Sequence, residues 1–191
     1  MREPLVRRGL RLEYATLGWN VVGVPILAIA ALRAGSAAAA GFALDSLIEI
    51  GASIVVIWEL TGTAAGREPR ALRLIGTAFL AVAVYVSALA AWSLLGDHRP
   101  DATGLGIAWT AATCVVMLAL ARGKAVTGRA LDNPVLQAES RVTLVDAALA
   151  AAVLVGLVLN AALGWWWADP VAGLLIVFYA AREARNALRP A

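Results

Sequence analysis

Hydrophobic residues are grouped along this chain in long blocks that short polar segments separate. A helix that crosses the hydrocarbon of a bilayer needs about 20 mostly apolar residues. Blocks of this kind predict six transmembrane helices, at residues 14–32, 37–58, 74–96, 102–121, 142–163 and 167–181. The sixth is the weakest, because its uncharged part after Asp169 is short and a re-entrant segment is an alternative there. We therefore expect an all-α integral membrane protein, a six-helix bundle in a single domain over residues 1–191.

Local signals support the ends of the last two helices. Asn133-Pro134 can begin the fifth helix, with the asparagine side chain as cap and the proline in the first turn. Asp169-Pro170 can begin the sixth helix in the same way. The stretch from Arg122 to Arg141 is interpreted as a polar connection between the fourth and fifth spans.

The positively charged residues predict the orientation. All but Arg33 and Arg99 of the 16 Lys and Arg residues fall in the N-terminal arm, the second connection, the fourth connection or the tail. An even number of spans places these four segments on one side of the membrane. Because basic residues accumulate on the cytoplasmic side, we expect both termini in the cytoplasm and a location in the cell (inner) membrane.

Composition supports a lipid environment and excludes several classes of protein. Hydrophobic residues make up 61% of the chain and charged residues only 15%, whereas a soluble domain has about a quarter charged. The sequence pI of about 9.6 does not predict a nucleic-acid partner, because the basic residues flank apolar segments. A single cysteine, Cys114, excludes a disulfide framework and a Cys-rich metal site.

Three acidic residues lie inside predicted spans: Asp45 and Glu49 in the second, and Asp146 in the fifth. A charged residue at mid-bilayer costs about 2.5–3.5 kcal/mol on insertion scales. Asp45 and Glu49 are four residues apart and therefore share one helical face. Two like charges so placed repel each other, so that either one is protonated or a cation lies between them. The alternative is that these acids only hydrogen-bond to neighbouring helices and never meet an ion.

Other charged residues are expected near the cytoplasmic ends of the spans. Glu13, Glu139 and Arg141 are interpreted as interfacial. Glu139 precedes Asp146 by seven residues and lies on roughly the same face, which makes it a candidate for the path by which an ion reaches Asp146.

Two segments resemble the cation diffusion facilitator transporters. Residues 41–53 (GFALDSLIEIGAS) resemble the second helix of that family, with Asp45 and Glu49 at its acidic pair. Residues 142–176 resemble its fifth and sixth helices, and Asp146 matches the acid of its His-x-x-x-Asp motif. Asn20 in the first helix also fits, and the resemblance covers essentially the whole chain as a transmembrane domain.

The resemblance implies a homodimer of six-helix protomers in a lipid bilayer. Each protomer would bind a divalent cation, typically zinc, between the second and fifth helices, with Asp45, Glu49 and Asp146 as ligands. The cation would leave the cytoplasm by alternating access in exchange for protons. No resident cofactor and no enzymatic activity are expected, since the chain lacks a G-x-S-x-G nucleophile and a Cys/His pair suited to covalent catalysis.

The chain departs from the family pattern in two places. Val142 stands where the family has its histidine, and the remaining ligands are all oxygen, a set that favours manganese, magnesium or, less comfortably, ferrous iron over zinc. Asn20, Thr143 or water are candidates to complete the ligand shell. The family's cytoplasmic C-terminal domain is not expected, because only residues 182–191 follow the last span, so that dimerisation would depend on the membrane helices. A non-transporting membrane protein of the same fold, with a structural or regulatory role, is the alternative.

Overall fold

The computed structural model describes residues 2–34, 37–62, 67–96 and 104–188. These residues contain six α-helices and, within the described ranges, no strand. In chain order the helices are α1 (Arg2–Ala34), α2 (Ala37–Leu60), α3 (Arg67–Leu95), α4 (Gly104–Leu131), α5 (Pro134–Leu163) and α6 (Ala168–Leu188). The predicted all-α class is confirmed.

Four of these helices are long and apolar enough to cross a membrane, judged by length and composition: Glu3–Ile29 of α1, Pro69–Leu95 of α3, and the whole of α4 and α5. Large apolar side chains cover the outside of the bundle, among them Val84, Val115 and Phe178. An apolar exterior of this kind suits lipid, and helices satisfy their own backbone hydrogen bonds there. The chain is therefore a multi-pass membrane protein.

Most helices extend beyond the apolar blocks that predicted them. α1 begins at Arg2 instead of residue 14, α3 begins at Arg67 instead of residue 74, and α6 continues to Leu188. The 33 residues of α1 correspond to a length of about 50 Å, whereas the hydrocarbon is about 30 Å thick. Hydrophobicity therefore marks the part of a helix that lipid contacts, and the helix itself continues into the polar interface.

The predicted polar connection from Arg122 to Arg141 is wrong. α4 continues to Leu131 and α5 begins at Pro134, so that only Asp132 and Asn133 connect the two helices. The prediction failed because it took charged residues as the sign of a connection. Several of these charges lie on the outer face of a helix, and one of them, Lys124, is buried and compensated by acids, as described below.

The short corner between α4 and α5 is held by hydrogen bonds at both helix ends. Asp132 has a φ of 51°, and the Asn133 N–H donates to the Gly128 carbonyl at 2.9 Å, which is the pattern of a Schellman C-cap. The Asn133 Oδ1 accepts a hydrogen bond of 2.8 Å from the Leu136 N–H. Asn133 is thus the N-cap of α5, with Pro134 as the first helical residue, as predicted.

The end of α5 and the start of α6 are also close to prediction. Gly164, with a φ of 69°, follows the last residue of α5, and the rings of Trp165 and Trp167 stack with centroids 5.5 Å apart. α6 begins at Ala168, one residue before the predicted cap Asp169, whose side chain lies outside the described part of the structure. Arg99 also lies outside the described residues.

α5 lies at the centre of the bundle. It packs most extensively on α4 and also contacts α2, α3 and α6, while α1 packs on α2 and α4. The contact of α1 with α4 includes Trp19, whose ring stacks on Trp109 at 4.8 Å and whose Nε1 donates to Thr113 Oγ1 at 3.1 Å. Polar residues on α5 therefore face other helices, which determines where a site can form.

Close approach of α4 and α5 leads to a first prediction. A Cβ at Gly128 would lie 3.0 Å from the backbone nitrogen of Gln137 and 3.3 Å from the backbone carbon of Leu136, atoms that cannot move aside as a flexible side chain does. Gly128→Ala is expected to destabilise the protein by about 1–3 kcal/mol through overpacking, measured as a lower unfolding temperature in detergent.

Gly18→Ala is the matched control, because a Cβ there would meet nothing within 4 Å. The same replacement at that position is expected to leave the unfolding temperature unchanged or to raise it, since alanine is the better helix former. Equal unfolding temperatures for both variants would contradict the close packing at Gly128.

Candidate metal centre

The three acids predicted as ligands are buried where α2 packs on α5. Asp45, Glu49 and Asp146 are 4%, 2% and 3% exposed, respectively. The spacing of four residues in α2 directs Asp45 and Glu49 to the same side of that helix, and the hydrogen bond between Glu49 and Thr143 of α5 shows that this side faces α5. None of the three side chains therefore points towards lipid.

Asp45 and Asp146 lie together across the two helices. Their carboxyl groups are close enough to interact electrostatically. Neither oxygen of Asp146, nor Oδ2 of Asp45, receives a hydrogen bond from an N–H or O–H group in the described part of the chain. Ionised carboxylates only accept hydrogen bonds, so two of them side by side are unfavourable unless a proton or a cation lies between them.

Glu49 lies one turn along α2 and is held by a different partner. Its Oε1 accepts a hydrogen bond of 2.7 Å from the Thr143 hydroxyl of α5, and it interacts electrostatically with Asp45 and Asp146. Among the described residues, no three His, Cys, Asp or Glu side chains are grouped closely enough to bind a metal ion in this conformation. The structure therefore brings together the pair Asp45–Asp146, with Glu49 adjacent to it.

A buried lysine on α4 is the main feature that the sequence analysis missed. Lys124 is fully buried, and its Nζ lies 2.6 Å from each carboxylate oxygen of Glu139. It also lies 3.1 Å from Oε2 of Glu13 and 2.9 Å from the Thr143 hydroxyl. The interpretation of Glu13 and Glu139 as interfacial is wrong, because both side chains are fully buried as counter-ions of Lys124.

The sequence contained a signal for this burial. Lys124 lies on the same face of α4 as Met117, Leu120 and Leu131, all of which are buried, whereas Arg122 on the opposite face is exposed. A charged residue on the apolar face of a helix predicts a buried compensating charge.

Two polar candidates for additional ligands differ in their surroundings. Thr143 lies between Glu49 and Lys124 and is also 3.2 Å from Oε2 of Glu139; its single proton is donated to one carboxylate at a time. Asn20 is buried on α1, and its Nδ2 donates to the Thr16 carbonyl at 3.1 Å.

Glu139 and Val142 complete the predicted set. Both oxygens of Glu139 are bound by Lys124, so the carboxylate proposed for an ion path already has a cation. Val142 is buried in the apolar core, one helical turn before Asp146.

A groove of about 540 Å³ on the outside of α4 and α5 is separate from these residues. It is lined by side chains that include Leu118, Arg122, Arg129, Arg141 and Leu144. None of the candidate acids lines it, so the candidate metal centre is internal to the bundle.

These features define a class of protein: a multi-pass α-helical membrane protein with carboxyl groups paired between two packed helices. The chain belongs to the cation efflux family, because residues 71–191 match the model of the cation efflux transmembrane domain. This confirms the resemblance found in the sequence motifs. The family is one of cation transporters and not of enzymes. The matched residues include Asp146 but not Asp45 and Glu49, which lie on α2, a helix that packs on α5.

Proposed function

We propose that this chain transports a divalent metal cation across the membrane in exchange for protons, with Asp45, Glu49 and Asp146 as ligands. The observation that carries the proposal is the burial of Asp45 and Asp146 inside the bundle, close enough to interact with each other. Burial of two acids side by side is unfavourable unless a cation or a proton compensates them. A dication and protons would therefore compete for the same oxygens, which is the chemical basis of antiport.

The position of the proposed ligands on different helices supports alternating access. Asp45 and Glu49 move with α2, whereas Asp146 moves with α5. A small displacement of α2 against α5 would bring Glu49 to the aspartate pair or take it away, and thereby change the number of metal ligands. Transporters commonly place such sites between elements that move relative to each other.

The donor set bears on which ion is transported. Oxygen ligands favour hard cations such as manganese and magnesium, with ferrous iron less well suited, whereas zinc remains the ion implied by the family. The Thr143 hydroxyl, hydrogen-bonded to Glu49, is the nearest additional oxygen donor, and Asn20 on α1 is a further candidate.

The proposal includes a topology and an assembly. We infer one transmembrane domain of six spans in the cell membrane, with both termini in the cytoplasm and two chains associated through their membrane helices. The distribution of Lys and Arg supports the orientation, and the cluster of Arg122, Arg129 and Arg141 near the α4–α5 corner agrees with a cytoplasmic location for that corner.

Transport by purified protein in liposomes tests the proposal. Vesicles with an acidic lumen and an enclosed metal-sensitive dye are mixed with external Mn²⁺ or Zn²⁺. Protons leaving the lumen should drive metal uptake, and collapse of the pH gradient with nigericin should slow it to the rate of protein-free vesicles. Absence of protein-dependent flux of either ion, with the gradient in either direction, would overturn the proposal.

A non-transporting protein of the same fold is the second candidate. Two observations favour it: Val142 in place of the family's histidine, and the absence, among the described residues, of three potential ligands grouped closely enough for a metal. Folded protein that shows neither flux nor metal-dependent heat in calorimetry at neutral pH would support this candidate over the first.

Replacing Val142 by histidine tests the position of the site. The imidazole would lie one turn from Asp146 and add the nitrogen ligand that zinc prefers, so Val142→His is expected to bind zinc at least about tenfold more tightly. Calorimetry with zinc measures the change. Val153→His is the control, because Val153 is also buried on α5 but lies about 10 Å beyond Asp146. An unchanged zinc affinity in Val142→His would contradict the alignment of that position with the metal centre.

A further inference from the structure

Lys124 is surrounded by more oxygen atoms than one ammonium can bind. Glu139 provides two oxygens at 2.6 Å, Thr143 one at 2.9 Å, and Glu13 one at 3.1 Å. An ammonium has three N–H donors and no acceptor. Both oxygens of Glu13 are buried and have no hydrogen-bond partner in the described part of the chain, although Oε2 is at ion-pair distance from Nζ.

Lys124 is also one cation among several carboxyl groups. One ammonium faces two carboxylates in direct contact, and Glu49 interacts with it from a greater distance. The side chains of Lys124, Glu13, Glu139 and Glu49 are all at least 98% buried. A group of buried oxygens, two of them from one carboxyl group, resembles part of the oxygen shell of a hard divalent cation.

We propose that Glu13, Glu139 and Thr143 form a second cation site, and that the Lys124 ammonium occupies it as a tethered cation. The oxygens lie 2.6–3.1 Å from Nζ, and Ca²⁺ takes about six to eight oxygens at about 2.3–2.6 Å. A contraction of a few tenths of an ångström would bring these oxygens to that distance, and water would complete the shell. In the native chain the lysine excludes a free ion from this site.

This site is distinct from the proposed transport site. Its carboxylates come from α1 and α5 and are not Asp45, Glu49 or Asp146. The Thr143 hydroxyl is the connection between them, because it contacts Lys124 and also hydrogen-bonds Glu49. The inference therefore stands or fails independently of whether the chain transports ions.

Ca²⁺ binding to Lys124→Gln tests the inference. Equilibrium dialysis in detergent should show one more Ca²⁺ per chain for Lys124→Gln than for the native protein. The unfolding temperature of the variant should rise with Ca²⁺ more than that of the native protein. Lys124→Gln combined with Glu139→Gln is the control, because it removes the bidentate carboxylate and should lose both effects.

Equal Ca²⁺ counts for Lys124→Gln and the native chain, with no Ca²⁺-dependent change in unfolding temperature, would overturn the inference. If Lys124→Gln does not fold in a chelator, Ca²⁺ should restore the folded protein, and failure to restore it would also overturn the inference. If Lys124→Gln gains a Ca²⁺ ion but the native chain does not transport, only the proposed function is refuted. If the native chain transports but Lys124→Gln gains no Ca²⁺ ion, only the second site is refuted.

Discussion

Asp45→Asn and Asp146→Asn are each expected to abolish metal transport in the liposome assay. Each change replaces a carboxylate by a neutral amide of nearly the same size, so the packing of α2 on α5 is retained while a charged ligand is lost. Loss of a residue that only supports a ligand costs about 10–100-fold in metal affinity. Loss of the ligand itself should therefore cost at least about 100-fold.

Glu3→Gln is the control for this pair of variants. It makes the same acid-to-amide change at an exposed position of α1, where Glu3 forms an ion pair with Arg7 at 3.3 Å. Exposed pairs of this type contribute little to stability, so the variant should transport at the native rate. If Asp45→Asn or Asp146→Asn moved ions as fast as the native chain, the assignment of the metal centre would be wrong.

Replacement of Lys124 by methionine is expected to cause the largest loss of stability. Methionine has a similar length but no charge, and it leaves the carboxylates of Glu13 and Glu139 buried without their cation. Removing one partner of a buried ion pair typically costs about 3–5 kcal/mol. For a chain of this size the unfolding temperature should fall on the order of 10 °C, measured in detergent with a chelator present.

Two further variants separate lost charge from lost packing. Arg122→Met removes a basic side chain from the exposed face of the same helix and should change stability by at most about 0.5 kcal/mol. Lys124→Met with Glu139→Gln removes both charges of the closest pair and should recover part of the stability. A Lys124→Met variant as stable as the native chain would contradict the burial of this ion pair.

Much of the fold could be predicted from the sequence because lipid imposes a simple pattern. Long apolar blocks identified helices, and the Asn133-Pro134 signal located the start of α5 correctly, since capping depends on only a few adjacent residues. Helix ends were less predictable. Hydrophobicity reports contact with lipid, whereas α1 and α3 continue into the interface. There the polar end of a helix has the same kind of composition as a connection, so the two cannot be told apart from sequence.

The candidate site was predictable to a smaller degree. Asp45 and Glu49 could be placed on one face of α2 from their spacing, but their approach to Asp146 depends on how α2 packs on α5, which helical periodicity does not contain. Lys124 and Glu139 are 15 residues apart, on different helices, and Glu13 approaches from a third. Because each helix was considered alone, Glu13 and Glu139 were interpreted as interfacial and Lys124 as part of a polar connection.

The two-residue corner between α4 and α5 limits how this bundle can rearrange. Asn133 is the N-cap of α5, and its N–H donates to the last turn of α4. Its Nδ2 also lies 3.1 Å from a carboxylate oxygen of Glu59 at the end of α2. If α5 slid along α4 by one helical turn, the connection would have to lengthen by about 5.4 Å. A connection of two residues cannot extend that far. A change in the orientation of α5 must therefore be accompanied by the same change in α4, so that the two helices move as one rigid body. Distance probes placed on these two helices should report that they move together, without translation relative to each other.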